Sequence, residues 1–412
     1  SRITHPLVRV GERGEGVWKR VSMSEALDLV AEKLMEIREK YGPRSLLICV
    51  GYPKALELSF AQRFASVYGT PNVASDGDVC HMPREIAEHL TYGSIAMPDE
   101  ESPPKLMVVW GCNPHETRSA TLRLPQIESF VKRGARVVVV DPRKTPLASR
   151  AEKWVRLKPG SDCWLAIGLL KVIVEEKLYD EEFVEKWVVG FDELREHLRA
   201  FSMKEVERQT WVPKSEIEEV AKLYATNKPS VILWGNAIDH IPDALQAARA
   251  ICILRALTGN LDRPGGELVL KRLPIRRPSE FLLLKELPRK QSVGEEYVLA
   301  TRNAFIPRYA AIRAIIEQKP YPIKAAIVVG TNPLITYQNS KRVYEAFMKL
   351  EFLVVLELFM TPTAYIADVV LPVSHALEHD EISPYPAFSG EIIANPKVVD
   401  PPGECLPDAQ IF

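Results

Sequence analysis

Cys80 and His81 sit side by side in the stretch SDGDVCHMPR, residues 75–84, between two segments of helix-like apolar spacing. The thiol has three possible roles: a buried hydrophobe, a nucleophile or a metal ligand. A free cysteine is most often the first of these, and nothing local decides among them. A second concentration of chemistry lies in three loops: GCNPHETRSA after 105–110, DPRKTPLASRA after 135–140 and GTNPLITYQNS after 324–329. The first and third share a strand–Gly–x–Asn–Pro pattern, at Gly111 and Asn113 and again at Gly330 and Asn332. Glycine lets a backbone approach a ligand closely. Asparagine donates and accepts at once, as a base edge or ribose requires. Asn-Pro is also ordinary turn chemistry, but two copies after two apolar runs suggest two similar nucleotide sites. Asp141 closes the run VVVVD, where an acidic residue suits ribose hydroxyls. Arg143 suits a phosphate or a surface ion pair. In RLKPGSD (156–162), Pro159-Gly160 makes a turn and Asp162 is expected to cap the helix that follows.

The elements that must position these loops are short apolar runs alternating with amphipathic stretches. The runs are 45–51, 105–111, 135–141, 229–235, 324–330, 351–357 and 367–372. Helical spacing marks 54–68, 162–176, 214–226, 241–258, 305–318 and 339–349. Strands apolar on both faces, alternating with helices, predict doubly wound α/β folding around parallel sheets. The segment 266–300 has no strand signal and reads as a linker or excursion. At ~150 residues per domain, 412 residues predict two or three domains.

The composition narrows the function. A net charge of −1 argues against nucleic acid as a partner. No apolar run reaches the ~18 residues of a membrane span. Six scattered cysteines without a C-x-x-C pair argue against a disulfide framework and against a cysteine-only zinc or iron–sulfur site. There is no G-x-G-x-x-G after any strand and no P-loop signature, which disfavours ordinary nicotinamide and nucleoside triphosphate binding.

Taken in order, several segments resemble the molybdopterin oxidoreductases of the dimethyl sulfoxide reductase family. They are HPLVRVGERGEGVWKRVSMSEALDLVAEKL (5–34), YGTPNVASDGDVCH (68–81), VVWGCNP (108–114), VVDPRKTPLASRAEKWVRLKPGSD (139–162), LTGNLDRPGGEL (257–268), VVGTNPL (328–334) and FMTPTAYIADVVLPVSHALEHDE (359–381). The resemblance implies molybdenum or tungsten on two molybdopterin guanine dinucleotides, with Cys80 as the protein ligand to the metal. A thiolate suits such a soft site. His81 matches a position that assists proton movement in formate-dehydrogenase-like members, although a histidine there can also serve only as a hydrogen-bonded neighbour. One dinucleotide would be held by Gly111, Asn113, Asp141, Arg143, Gly160 and Asp162. The other would be held by Gly330, Asn332, Glu357 and Thr361, with Glu357 standing where the family usually has aspartate. Asn260 and Gly265 read as structural turn residues.

The resemblance further implies two Rossmann-like domains, one inserted in the other: 1–75 with 271–412, and 76–270. A preceding domain with a four-iron–four-sulfur cluster and a closing β-rich domain are expected outside this sequence. Without them the chain alone is expected to fold, to hold no cofactor and to be inactive. The expected activity is two-electron redox chemistry on a small-molecule substrate, with an iron–sulfur domain or subunit as electron partner. Two other readings stand beside it. MTPTA with EHDE is similar to the branch containing acetylene hydratase, which implies a non-redox tungsten hydratase. A non-catalytic subunit of an electron-transfer complex would keep the fold without the metal. The compartment is cytoplasmic by default, or extracytoplasmic if an export signal lies upstream.

Overall fold

The computed structural model describes residues 1–51, 56–117, 123–270, 278–286, 292–301, 305–383 and 392–412. In chain order its strands are β1 Leu7–Arg9, β2 Trp18–Arg20, β3 Leu46–Val50, β4 Val73–Ser75, β5 Ala96–Pro98, β6 Leu106–Trp110, β7 Arg136–Val140, β8 Lys153–Val155, β9 Ser230–Trp234, β10 Glu267–Val269, β11 Ala325–Val329, β12 Phe352–Glu357, β13 Val369–Pro372, β14 Glu381–Ser383 and β15 Ile393–Asn395. The chain divides into two compact units. One is Ser1–Asp78 with Arg272–Phe412, and the other is Val79–Lys271.

In the first unit seven strands are ordered β2-β1-β13-β12-β11-β3-β4. The five from β13 to β4 are parallel, and β1 and β2 extend them antiparallel at one edge. Every residue of β3 and β11 is buried. Leu47 and Cys49 point into one core while Leu46, Ile48 and Val50 point into the other. A strand covered on both faces has no polar face to show, so its sequence reads as a continuous apolar run.

The second unit repeats the plan with four parallel strands ordered β8-β7-β6-β9. Leu106, Val108 and Trp110 face the larger core, and Met107 and Val109 face the smaller one. Both sheets reverse direction of growth once. In the first unit the reversal falls between β3 and β11, and in the second between β6 and β9. Such a switch point opens a crevice beyond the carboxyl ends of its two strands.

Two expectations need correction. Residues 267–269 form β10, paired antiparallel with β5. Three residues are too few to show a periodicity, and Glu267 is fully buried because it is bonded to Arg255 and to the Ile232 amide rather than to solvent. Asp162 does not cap its helix. The N-cap is Ser161 and Asp162 is the first helical residue; its carboxylate turns inward, where the buried Trp110 indole needs an acceptor. Parts of 266–300, namely 271–277 and 287–291, lie outside the described residues. Among the described residues no helix is long and apolar enough to cross a membrane.

Candidate functional site

In the second unit, Gly111 follows β6 and Gly235 follows β9, one on each side of the switch point. They touch through main chain. A Cβ on Gly235 would lie 2.1 Å from the Gly111 carbonyl oxygen. Gly235 N–H donates to the Trp110 carbonyl and Gly111 N–H to that of Val140, both at 2.9 Å. Gly111 has φ +59, a left-handed turn that glycine adopts without strain. The turn sends the chain into Asn113 and the short helix Pro114–Thr117. Asn113 is buried, yet neither its amide nitrogen nor its amide oxygen has a hydrogen-bond partner among the described residues. Orphaned buried amides are rare and costly, so this one has both a donor and an acceptor to spare.

The neighbouring loops supply charge. Asp141 leaves β7, and its carboxylate accepts from the Arg143 N–H at 2.7 Å. Burial raises the Asp141 pKa, opposed by that bond. The Arg143 side chain is exposed and reaches Glu116 at 3.3 Å. Gly160 turns at φ +80 before the helix Asp162–Glu175. Asp162 accepts from Trp110 Nε1 at 2.8 Å, and burial raises its pKa against that bond.

Cys80 opens this unit, between the 3₁₀ turn Asp76–Val79 and the helix Met82–Tyr92. Its thiol is half-buried, and Asn236 Nδ2, next to Gly235, donates to its Sγ at 3.7 Å. Cys80 and the switch-point glycines therefore belong to one cluster. The hydrogen bond from His81, with its charge, outweighs burial and holds the thiol below its ordinary range. His81 Nε2 lies 3.2 Å from Glu85 one helical turn on. Burial opposes the His81 charge, but its bonds to Cys80 and Glu85 win and push its pKa up to about 9. Among the described residues no group of three or more His, Cys, Asp or Glu is arranged to hold a metal alone. Cys80 is thus a lone soft donor and, among these residues, not part of an all-protein metal cluster.

The first unit has a matching crevice. A Cβ on Gly51, after β3, would lie 2.0 Å from the Gly330 carbonyl oxygen, after β11. Asn332 caps the short helix Pro333–Thr336. Its main chain repeats that of Asn113: Thr336 Oγ1 donates to the Asn332 carbonyl as Thr117 Oγ1 does to that of Asn113, each at 3.2 Å. The side chains differ. Asn332 Oδ1 already accepts from Thr363 Oγ1 at 2.6 Å. Glu357 ends β12 with its pKa raised by burial and partly restored by bonds from Leu358, Phe359 and Thr361. Thr361 caps the helix Pro362–Tyr365.

Several residues of these clusters carry no mark in the sequence. Arg84 donates to Asp239, to the Trp234 carbonyl and to Asn236. Arg308 binds Asp78 and Asp76, each at 2.7 Å, in the turn just before Cys80. Gly51 and Gly235 were foreshadowed only by apolar runs that close on glycine.

The chain has relatives of known identity in sequence and in fold. The chain is 33% identical over 440 residues to acetylene hydratase of Syntrophotalea acetylenica, covering 98% of this chain and 59% of that protein. It is 31% identical over 406 residues to formate dehydrogenase H of Escherichia coli, covering 92% of this chain and 55% of that one. The solved acetylene hydratase from Pelobacter acetylenicus superposes with a TM-score of 0.92 at 31% identity, over 100% of this chain and 60% of that one. The chain thus spans less than two thirds of the length of these relatives. The profile of the family described as molybdopterin oxidoreductase matches residues 2–412, and this chain belongs to that family.

Proposed function

We propose that this chain is the catalytic core of a molybdenum or tungsten oxidoreductase carrying two molybdopterin guanine dinucleotides. The observation that carries the reading is the Cys80 thiol, joined through Asn236 to the switch-point glycine Gly235, with the unpartnered Asn113 amide following the facing strand. The residues fit such a group. Gly111 and Gly235 bring the two strand ends into main-chain contact and present no side chain of their own to a pyrophosphate lying beyond them. The free amide of Asn113 offers a donor and an acceptor to a sugar or base. Asp141, Arg143, Gly160 and Asp162 complete the first dinucleotide site, and Gly330, Asn332, Glu357 and Thr361 form the second. Cys80 is the protein ligand to the metal. When bound, the cofactor supplies the two-electron chemistry by which an oxo, sulfido or hydride group is exchanged with a small substrate.

The protein's part is placement and proton handling. The Arg84–Asp239 pair fixes the start of the helix that carries His81. His81 holds a proton at Nε2 against Glu85, within reach of the thiolate side of the site. An iron–sulfur domain or subunit takes the electrons. Replacing Cys80 with alanine in the complete enzyme should remove one sulfur from the metal's X-ray absorption shell and abolish turnover. An unchanged sulfur shell with full activity would end this reading.

The similarity to acetylene hydratase, in sequence and in fold, favours a second reading. In it the same residues hold a tungsten cofactor that adds water to a substrate without net redox change. Reduction of an electron-accepting dye in step with turnover selects the oxidoreductase. Turnover with no electrons released selects the hydratase.

A further inference from the structure

We infer that Asn236 is a positioning residue for the Cys80 sulfur: Arg84 orients its amide so that an N–H faces the ligand and raises the reduction potential of the metal. The inference rests on the proposed ligation by Cys80. An asparagine amide has two ends of nearly the same shape, one a donor and one an acceptor. Arg84 carries donors only, and its Nη2 lies 2.8 Å from Asn236 Oδ1. The oxygen is therefore committed to Arg84, and Nδ2 is the end left at 3.7 Å from Cys80 Sγ.

Arg84 itself has little freedom. It is buried, its Nε donates to Asp239 Oδ2 and its Nη1 to the Trp234 carbonyl at 3.1 Å. Its own backbone N–H donates to Asp239 Oδ1 at 3.1 Å. Asn236 begins the 3₁₀ turn Asn236–His240, anchored where Gly235 N–H meets the Trp110 carbonyl and where Ile238 N–H meets the Gly235 carbonyl. The far end of that turn returns to the ligand segment, since His240 Nε2 bonds the Val79 carbonyl. Asn236 is exposed, but its amide is held by the buried Arg84 on one side and by its own main-chain anchors on the other.

A hydrogen bond to a thiolate draws electron density from sulfur and makes it a weaker donor. Weaker donation favours the reduced metal and so raises its potential. Unlike an imidazole, a carboxamide keeps its N–H at every working pH.

The test uses the complete, metal-loaded enzyme and the M(V) electron paramagnetic resonance signal followed in a redox titration. Asn236→Leu removes both amide ends. Asn236→Asp keeps the acceptor for Arg84, removes the donor and adds a negative charge, so its shift should be at least as large as that of Asn236→Leu. Both variants should lower the potential, by about tenfold in the one-electron equilibrium or about 59 mV. Potentials unchanged in both would overturn the inference. So would a shift in Asn236→Leu alone, which would trace the effect to the Arg84 contact. Loss of metal from both would overturn it too, because the amide would then serve assembly and not tuning. Cys80→Ser separates the underlying reading: a sulfur shell that does not change in Cys80→Ser refutes ligation, whatever Asn236 does.

Discussion

Placing a methyl group on Gly235 tests whether the crevice between β6 and β9 depends on main-chain contact. The backbone there has φ −115° and ψ 177°, an extended conformation that alanine adopts freely. Any cost of Gly235→Ala is therefore steric. The new Cβ would stand 2.1 Å from the Gly111 carbonyl oxygen and 2.9 Å from Cys112 Cα. Ordinary contacts begin at 3.4 Å, so the two strand ends must part by more than an ångström. Parting them loses the 2.9 Å bond from Gly235 N–H to the Trp110 carbonyl, worth about 1 kcal/mol. Overpacking adds about 1–3 kcal/mol, for a total of roughly 2–4 kcal/mol. Gly134→Ala in the same unit is the control. Its φ is +95° and nothing lies within 4 Å, so only conformational strain of about 1–2 kcal/mol is expected. Urea unfolding followed by the fluorescence of buried Trp110 and Trp234 measures both. If Gly235→Ala is no less stable than Gly134→Ala, or sits within about 0.5 kcal/mol of the unmodified protein, the steric argument is wrong.

Arg255 is fully buried between Glu88 at 2.9 Å and Glu267 at 2.5 Å, with its guanidinium 4.0 Å from the centre of the Trp234 ring. Arg255→Met leaves two buried carboxylates without their cation and should cost about 3–5 kcal/mol at neutral pH; a thermal scan showing less than about 1 kcal/mol would mean the network carries no weight. Burial, then repulsion from Glu57, pushes the Asp408 carboxyl from 3.8 up to about 7. A raised acid pKa means the folded state holds the proton more tightly, so this contribution is full below about pH 4 and is lost as pH rises through about 7. Asp408→Asn should flatten that slope, leaving the variant more stable than the unmodified protein at pH 8; parallel melting profiles from pH 5 to 8 would count against it.

The sheets were legible because they are apolar on both faces. Runs such as RVVVV and AAIVV leave no other place for themselves than the middle of a covered sheet. The loops at their carboxyl ends followed, since a parallel sheet places its ligand crevice there. What escaped was the pairing of distant groups. Nothing in the residues near 236 says that an amide will meet a thiol 156 positions earlier. The two Gly-x-Asn-Pro loops read alike and fold alike, but Thr363 occupies the amide of one and no side chain occupies that of the other. That difference depends on a neighbour 31 residues away, beyond any local pattern. Asp162 read as a cap from its place after a turn; the indole that claims it lies 52 positions earlier.

The two glycine pairs have a consequence for how such a protein can change. Walls made of main chain carry almost no side-chain identity, so the cofactor hold proposed for them does not depend on which residues surround them. Gly51 and Gly235 are fixed, since a Cβ on either would lie 2.0 or 2.1 Å from the facing carbonyl oxygen, and Gly111 and Gly330 by their positive φ. The loops beyond them are free to exchange charge, size and polarity without loosening the hold beneath. In this arrangement the part that binds and the part that selects can drift separately, and one scaffold can be refitted for a new reaction by rewriting its rim.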